Sequence, residues 1–288
     1  MKHLNLFIEL TRLNKPIGYM LLFWPCAWGL TLIYNFNSEI YTYFKYLIFF
    51  LIGSILMRSA GCIVNDILDK EFDSKVFRTK NRPIASGKVS IKLAIFYSFT
   101  LCFLAFLVLI NFNFFTIILA IGSMPLAFTY PIMKRFTYWP QLFLGITFNY
   151  GLILGWTAVN NQISLIPILF YTGAIFWTLG YDTIYGYQDI KDDEIIGLKS
   201  TSIKFKGKAK NFLSLCYSAL MVFFIVGGYF MQFHYSYYLL LIIPLMHLFL
   251  YQIRIFDITN PFSCLNVFKS NNIFGLIIFL NILIVKNL

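Results

Sequence analysis

The chain has 288 residues, of which 59% are hydrophobic, 20% aromatic and only 12% charged, with a mean hydropathy of +0.73. Soluble domains carry roughly half apolar and about a quarter charged residues, so this composition excludes an ordinary soluble domain and indicates a polytopic membrane protein. The formal net charge of +11 does not require a polyanion or nucleic acid, because the cations lie mostly in loops between apolar spans, where membrane orientation puts them.

The opening segment, MKHLNLFIELTRLNKPIGYM, carries Glu9 and lacks a small-residue cleavage site behind a short apolar core. It reads as an interfacial amphipathic lead-in rather than a removable signal. Nine apolar runs follow, at roughly 16–34, 46–64, 91–110, 115–133, 138–158, 165–183, 211–230, 236–253 and 271–285. Each approaches the roughly twenty residues needed to cross about 30 Å of hydrocarbon at 1.5 Å per residue. The expectation is an all-α polytopic membrane protein, one domain over residues 1–288, with about nine transmembrane helices surrounding a central cavity.

Connections such as NFNF (111–114) and NNQIS (160–164) are short and turn-like, as between antiparallel neighbours. The loops at 65–90 and 184–210 are much longer. With the N-terminus cytoplasmic, these two loops and those at 134–137 and 254–270 are cytoplasmic as well. Only Lys45 and Lys286 of the 23 Lys and Arg then fall outside that side, which fixes the orientation by the positive-inside rule. Pro16, Pro25, Pro125, Pro131 and Pro140 mark helix starts or kinks that open room for a cavity. The five cysteines show no metal-ligand spacing and read as packing residues, as do His234 and His247. The tryptophans read as anchors or packing groups, with Trp24 and Trp156 candidates to line a cavity, and Gly145, Gly151 and Gly155 as points of close helix contact.

Both long loops begin with acidic clusters. In NDILDKEFD, at 100° per residue, Asp66, Asp69 and Asp73 fall within about 60° of one another, with Asn65 at the edge and Glu71 pointing away. In YDTIYGYQDIKDDE, Asp182, Tyr185, Asp189 and Asp193 share a face and Asp192 lies beside them. Clustered carboxylates near hydrocarbon need compensating charge. A hard divalent cation supplies it, and Mg²⁺ characteristically takes one or two carboxylates plus substrate phosphate oxygens. Arg78 and Arg82 are the best placed cations to engage a phosphate or diphosphate beside the metal. A charged head bound at the membrane surface above apolar spans implies a substrate with a long hydrocarbon tail, as in a prenyl diphosphate.

NDILDKEFD resembles the NDxxDxxxD motif of the UbiA superfamily of intramembrane prenyltransferases, DIKDD resembles its second motif, DxxxD, and YPIMK matches its YxxxK element. With MRSAGCIVNDILDKEFDSKVFRTKNRPIASGKVS, YDTIYGYQDIKDDEIIGLKSTSIKF and TRLNKPIGYMLLFWPCAWGL, the likeness covers roughly residues 11–205 and resembles the branch that prenylates 4-hydroxybenzoate in ubiquinone biosynthesis. Ser202 and Lys206 depart from the family's usual KSTA and FG, which bears on loop geometry rather than on a ligand. The resemblance implies Mg²⁺ and diphosphate held by Asn65, Asp66, Asp69 and Asp73, with Asp189 and Asp193 completing the site. It implies that Tyr130 and Lys134 link the halves and that Arg135 engages the diphosphate or the aromatic carboxylate. Asp182, Tyr185 and Gln188 are further contacts, and Asp189 is the candidate to orient or deprotonate the phenol.

The expected activity is Mg²⁺-dependent transfer of a polyprenyl group from polyprenyl diphosphate to 4-hydroxybenzoate, ortho to its hydroxyl, with release of diphosphate. The expected setting is the lipid bilayer of a bacterial cell inner membrane with a cytoplasmic active site, and no protein partner. The rivals are a sister prenyltransferase with another acceptor and a secondary transporter. A transporter would place its coupling carboxylates near the bilayer midplane rather than at span ends. A CDP-alcohol phosphotransferase would need Gly and Arg within one longer Asp pattern, which NDILDKEFDSKV lacks.

Overall fold

Where the surroundings are hydrocarbon, a chain must satisfy its backbone polar groups internally, and a helix does so within one segment. In the computed structural model, which describes residues 2–288, the chain is helical throughout with no strand among the described residues. The terminal Met1 of the expected lead-in lies outside them. The principal helices are α1 (Lys2–Thr11), α2 (Ile17–Ile33), α3 (Ile40–Leu68), α4 (Ile91–Leu109), α5 (Phe114–Thr129), α6 (Pro140–Thr157), α7 (Leu165–Gly186), α8 (Ala209–Phe230), α9 (Tyr235–Ile255) and α10 (Pro261–Lys286). Several starts are written in the sequence. Ser90 accepts from the Leu93 amide, Asn113 from that of Thr116, and Asn260 from those of Phe262 and Ser263.

Helices lie over each of the nine apolar runs, but six of them are long and apolar enough to cross a membrane: α3, α4, α5 with its following turn, α8 with its preceding turn, α9 and α10. The apolar α2 has 17 residues. Helices α6 and α7 are less apolar because they turn Gln141, Asn149, Thr157, Thr178 and Thr183 inward, where each is buried. Asn149 donates to Thr178 Oγ1 at 2.7 Å, so the polarity of one helix is met by its neighbour.

Close backbone approach joins α2 to α6. A Cβ at Gly29 would lie 2.0 Å from the Leu152 carbonyl oxygen, and one at Gly155 would lie 2.2 Å from that of Cys26. Small residues there let the helices touch, which is how packing holds a bundle where lipid is as apolar as leucine. Trp28, Trp177 and Phe274 interlock behind this contact. Trp24 and Trp156 are also buried in packing, and neither lines the main cavity. Helix α9 departs from α geometry over His247–Gln252, a π turn that buries Gln252 against Tyr217, Ser270 and Asn271.

Two features position the site. Helix α3 starts earlier and runs farther than the apolar run 46–64, so Asn65 and Asp66 ride on its last turn. The amphipathic α1 packs on α3 and α4, with Leu10 buried beside Ala60, Ile63, Val89 and Ala94. The interfacial lead-in is therefore a packed part of the bundle.

Candidate active site

A cavity of about 1360 Å³ opens between the end of α3 and the end of α7, with the turn after α1 and the first residues of α2 forming a further wall. The helical path of α3 persists across Asp69, whose amide donates to the Asn65 carbonyl and whose carbonyl accepts from the Asp73 amide. This keeps Asp66, Asp69 and Asp73 on one face, all nearly excluded from the protein surface, while Glu71 is exposed. Burying three carboxylates together is costly unless each is paired. Arg12 donates to Asp66 Oδ1 at 2.5 Å, Arg82 bridges Asp66 at 3.1 Å and Asp73 at 2.7 Å, and Lys134 bonds Asp69 Oδ2. Burial still pushes the Asp73 carboxyl above its ordinary range, against the pull of Arg82.

The second arm is built differently. Tyr185 ends α7 on the cavity side, and Asp189 precedes the short helix Ile190–Ile196. Arg78, from the first loop, grips both oxygens of Asp189 and donates to the Tyr185 hydroxyl at 3.3 Å. One guanidinium thus ties the two arms. Burial works against its charge, but these bonds more than restore it and raise its pKa. Asp193, one turn on, has no salt bridge among the described residues. Burial and the neighbouring Asp189 charge push its carboxyl up to about 6.

The six-residue 3-10 segment Tyr130–Arg135 lies between the halves: Lys134 bonds Asp69, and its carbonyl accepts from the Lys199 amide at 2.9 Å. Deeper in the cavity stand Arg58, Tyr130, Phe148, Tyr181 and Asp182. Arg58 lies over the Phe148 ring at 5.3 Å and forms no salt bridge among the described residues.

Asn65, Asp66, Asp69, Asp73, Arg78, Arg82, Tyr130, Lys134, Asp182, Tyr185, Gln188, Asp189 and Asp193 all line this cavity. Two expected residues do not. Asp192 is turned about 100° from its neighbour Asp193 on the short helix and stays off the lining. Arg135 is held outside by a 2.7 Å bond to the Leu68 carbonyl and by the Phe72 ring. Its guanidinium also lies 3.8 Å from Asp69 Oδ1, so it flanks that carboxylate from outside the cavity lining. Conversely, Arg12, Gln141, Lys269 and Asn272 line it without having been singled out from sequence. Arg12 adopts a left-handed φ of 56° that turns it back onto α3, a conformation that leaves no mark in the run TRLNKP.

The donor set suits a hard cation. It consists of carboxylates and Asn65, and the Asp69 Oδ1 atom is buried with no hydrogen-bond partner, an oxygen left ready for a ligand. Among the described residues no three Asp, Glu, His or Cys form a ready-made cage. The fit is accordingly to a cation shared between protein carboxylates and substrate oxygens.

The chain, a helical bundle with paired acidic arms over one cavity, matches the model of the UbiA prenyltransferase family over residues 22–282. The chain belongs to that family. Its relatives include the human protein named 4-hydroxybenzoate polyprenyltransferase, mitochondrial, 42% identical over 280 residues, 96% of this chain and 74% of that protein. The Arabidopsis thaliana protein of the same name is 41% identical over 274 residues, 95% of this chain and 67% of that protein. The fold matches the apo structure of a UbiA homolog from Aeropyrum pernix K1 with a TM-score of 0.77 at 23% identity, covering 93% of this chain and 98% of that one. It also matches a UbiA homolog from Archaeoglobus fulgidus bound to GPP and Mg²⁺, with a TM-score of 0.71 at 14% identity, over 98% and 100% of the two chains. The named relatives are mitochondrial, so they give no support to the expected bacterial inner membrane.

Proposed function

We propose that this protein transfers a polyprenyl group from polyprenyl diphosphate to the ring carbon of 4-hydroxybenzoate ortho to its hydroxyl, releasing diphosphate. The observation that carries the reading is the pair of acidic arms closing one cavity, joined to identity above 40% over nearly the whole chain with enzymes of that name. In support of a metal, Asp66, Asp69, Asp73, Asp189 and Asp193 would hold Mg²⁺, which supplies neutralisation of the diphosphate oxygens.

The chain's own residues do the rest. Arg12, Arg78, Arg82 and Lys134, each now bonded to a carboxylate, bind the diphosphate and stabilise the charge that grows on it as the C1–O bond breaks. Arg58, the deep cation without a carboxylate partner, receives the acceptor's carboxylate. The ring carbon bonds to C1 as diphosphate departs, and the proton on that carbon then passes to the released diphosphate, restoring the aromatic ring. Asp189 stands with Arg78 on the metal and diphosphate side, so the role of orienting the phenol falls to Asp182, which lines the same deep wall as Arg58 without a salt bridge. The surrounding helices exclude water from the electron-poor C1. The reading includes nine membrane crossings, with the cavity mouth on the cation-rich side.

The test is purified protein in detergent with prenyl diphosphate, 4-hydroxybenzoate and Mg²⁺, followed by mass and NMR analysis of the product. The expected product carries the prenyl chain ortho to the hydroxyl, and it disappears with EDTA and with Asp66→Ala. Undiminished product under both conditions refutes the metal-carboxylate reading. A panel of other aromatic acceptors separates hydroxybenzoate specificity from prenyl transfer in general.

A further inference from the structure

A second pocket, about 500 Å³, lies apart from the catalytic cavity, between the start of α8 and the turn joining α9 to α10. Its size falls in the range of about 300–1000 Å³ typical of small-ligand sites. Lys206, Lys208, Lys210 and Arg254 line it against a single acid, Asp257. Lys206 is engaged by Glu194, whose two oxygens it meets at 2.9 Å, and Asp257 accepts from the Thr259 amide and hydroxyl through Oδ1. Three cations to one acid, Lys208, Lys210 and Arg254 are left exposed on the same lining without salt bridges among the described residues.

The pocket's position decides what it fits. Glu194 belongs to the same short helix as Asp193, so the pocket opens at the same end of the bundle as the catalytic cavity. Helices α8 and α9 lead away from it into the apolar zone, joined by the Tyr217–Gln252 bond. One turn along α8 from the lining residue Asn211 is Leu215, and one turn along α9 from Arg254 are Leu250 and Tyr251, all exposed. A cationic pocket therefore sits at the head of an apolar lane, complementary to a phosphate with hydrocarbon tails attached.

We propose that this pocket binds the phosphate headgroup of an anionic phospholipid, with the acyl chains lying along Leu215, Leu250 and Tyr251. Clustered Lys and Arg at a membrane surface attract anionic headgroups, and a guanidinium supplies directed bonds to phosphate oxygens. The positive-inside rule alone accounts for cations at this end, but it does not require them to line one pocket.

The experiment is native mass spectrometry of the full chain in neutral detergent, titrated with phosphatidylglycerol, with phosphatidylcholine, and with phosphatidylglycerol plus millimolar inorganic phosphate. The expected result is phosphatidylglycerol retained at least tenfold more tightly than phosphatidylcholine and not displaced by inorganic phosphate. Lys208→Gln with Lys210→Gln and Arg254→Gln abolishes the preference, while Lys80→Gln with Lys88→Gln and Lys92→Gln, on the other long loop and the first turn of α4, keeps it. Arg254→Gln alone weakens retention at least threefold and serves if the triple variant fails to insert. Prenyl transfer in phosphatidylcholine vesicles stays at the wild-type rate for the single variant. Equal retention by the pocket variants, equal loss in the control variant, or displacement by inorganic phosphate overturns the proposal.

Discussion

The two acidic arms have nearly the same spacing and different electrostatics. On the first, Asp66, Asp69 and Asp73 are buried and each is paired with a cation from another segment. On the second, Arg78 takes Asp189, while Asp193 is left without a salt bridge and burial pushes its carboxyl up to about 6. The difference follows from where the helices end. Helix α3 carries its carboxylates down one continuous face into the bundle, whereas α7 stops at Gly186 and the second arm turns outward on a short helix. The first arm is a preset charged wall, and the second is the one with a charge still to gain or lose.

The largest effect falls on the first arm. Asp69 is paired with Lys134 on one oxygen, and the other has no hydrogen bond and only Arg135 at 3.8 Å, so Asp69→Ala removes the proposed ligand oxygen and leaves the half-buried Lys134 without its carboxylate. A loss of about a thousandfold in kcat/KM is expected, of the size seen when a preorganised charge-stabilising group is deleted. The exposed Glu71, two residues away, gives the contrast: Glu71→Gln leaves steady-state kinetics within twofold of wild type. Comparable losses at both positions would end the distinction between a wall and its bystander.

An intermediate effect is expected where the arms meet. Arg78→Lys keeps the charge but cannot hold both oxygens of Asp189 and the Tyr185 hydroxyl together. Lysine is a point charge and arginine a planar fork, so a fall of about tenfold to a hundredfold in kcat is expected, with prenyl diphosphate KM raised less. Kinetics unchanged by Arg78→Lys would mean the arms act independently and that the guanidinium bridge is incidental.

What the sequence displayed was spacing along single helices. The 100° rule put Asp66, Asp69 and Asp73 together and turned Glu71 away, and hydropathy located a helix over each apolar run. It could not display what depends on a second segment. Arg12 reaches Asp66 across 54 residues through a left-handed turn, and Arg58 of α3 meets the Phe148 ring brought to it by α6. Asp192 was grouped with that face for being beside it, but on the short helix it is turned about 100° from Asp193 and stays off the lining, whereas Asp182, Tyr185, Asp189 and Asp193 all reach it. Arg135 lies off the lining because the Leu68 carbonyl and the Phe72 ring, neither marked by spacing along the chain, hold it beside Asp69 from outside.

The smallest effect tests the second arm's open charge. In the metal-free protein Asp193 is raised from 3.8 to about 6, so between those values the folded state holds a proton that the unfolded chain has released. Stability from this group is then undiminished below about pH 4, falls as pH rises through 4 to 6, and is lowest above 6. Asp193→Asn stays neutral throughout. In EDTA it should therefore be more stable than wild type at pH 7.5, by on the order of 1–2 kcal/mol, with the gap narrowing at pH 5. Thermal unfolding in detergent at the two pH values reads this directly. The same variant should bind Mg²⁺ and diphosphate more weakly at pH 7.5, because the carboxylate that burdens the empty fold is the one the ligand requires. A variant that is less stable at pH 7.5, or equally shifted at both pH values, would mean that Asp193 is held by contacts rather than strained by its charge, and the contrast between the arms would lose its physical basis.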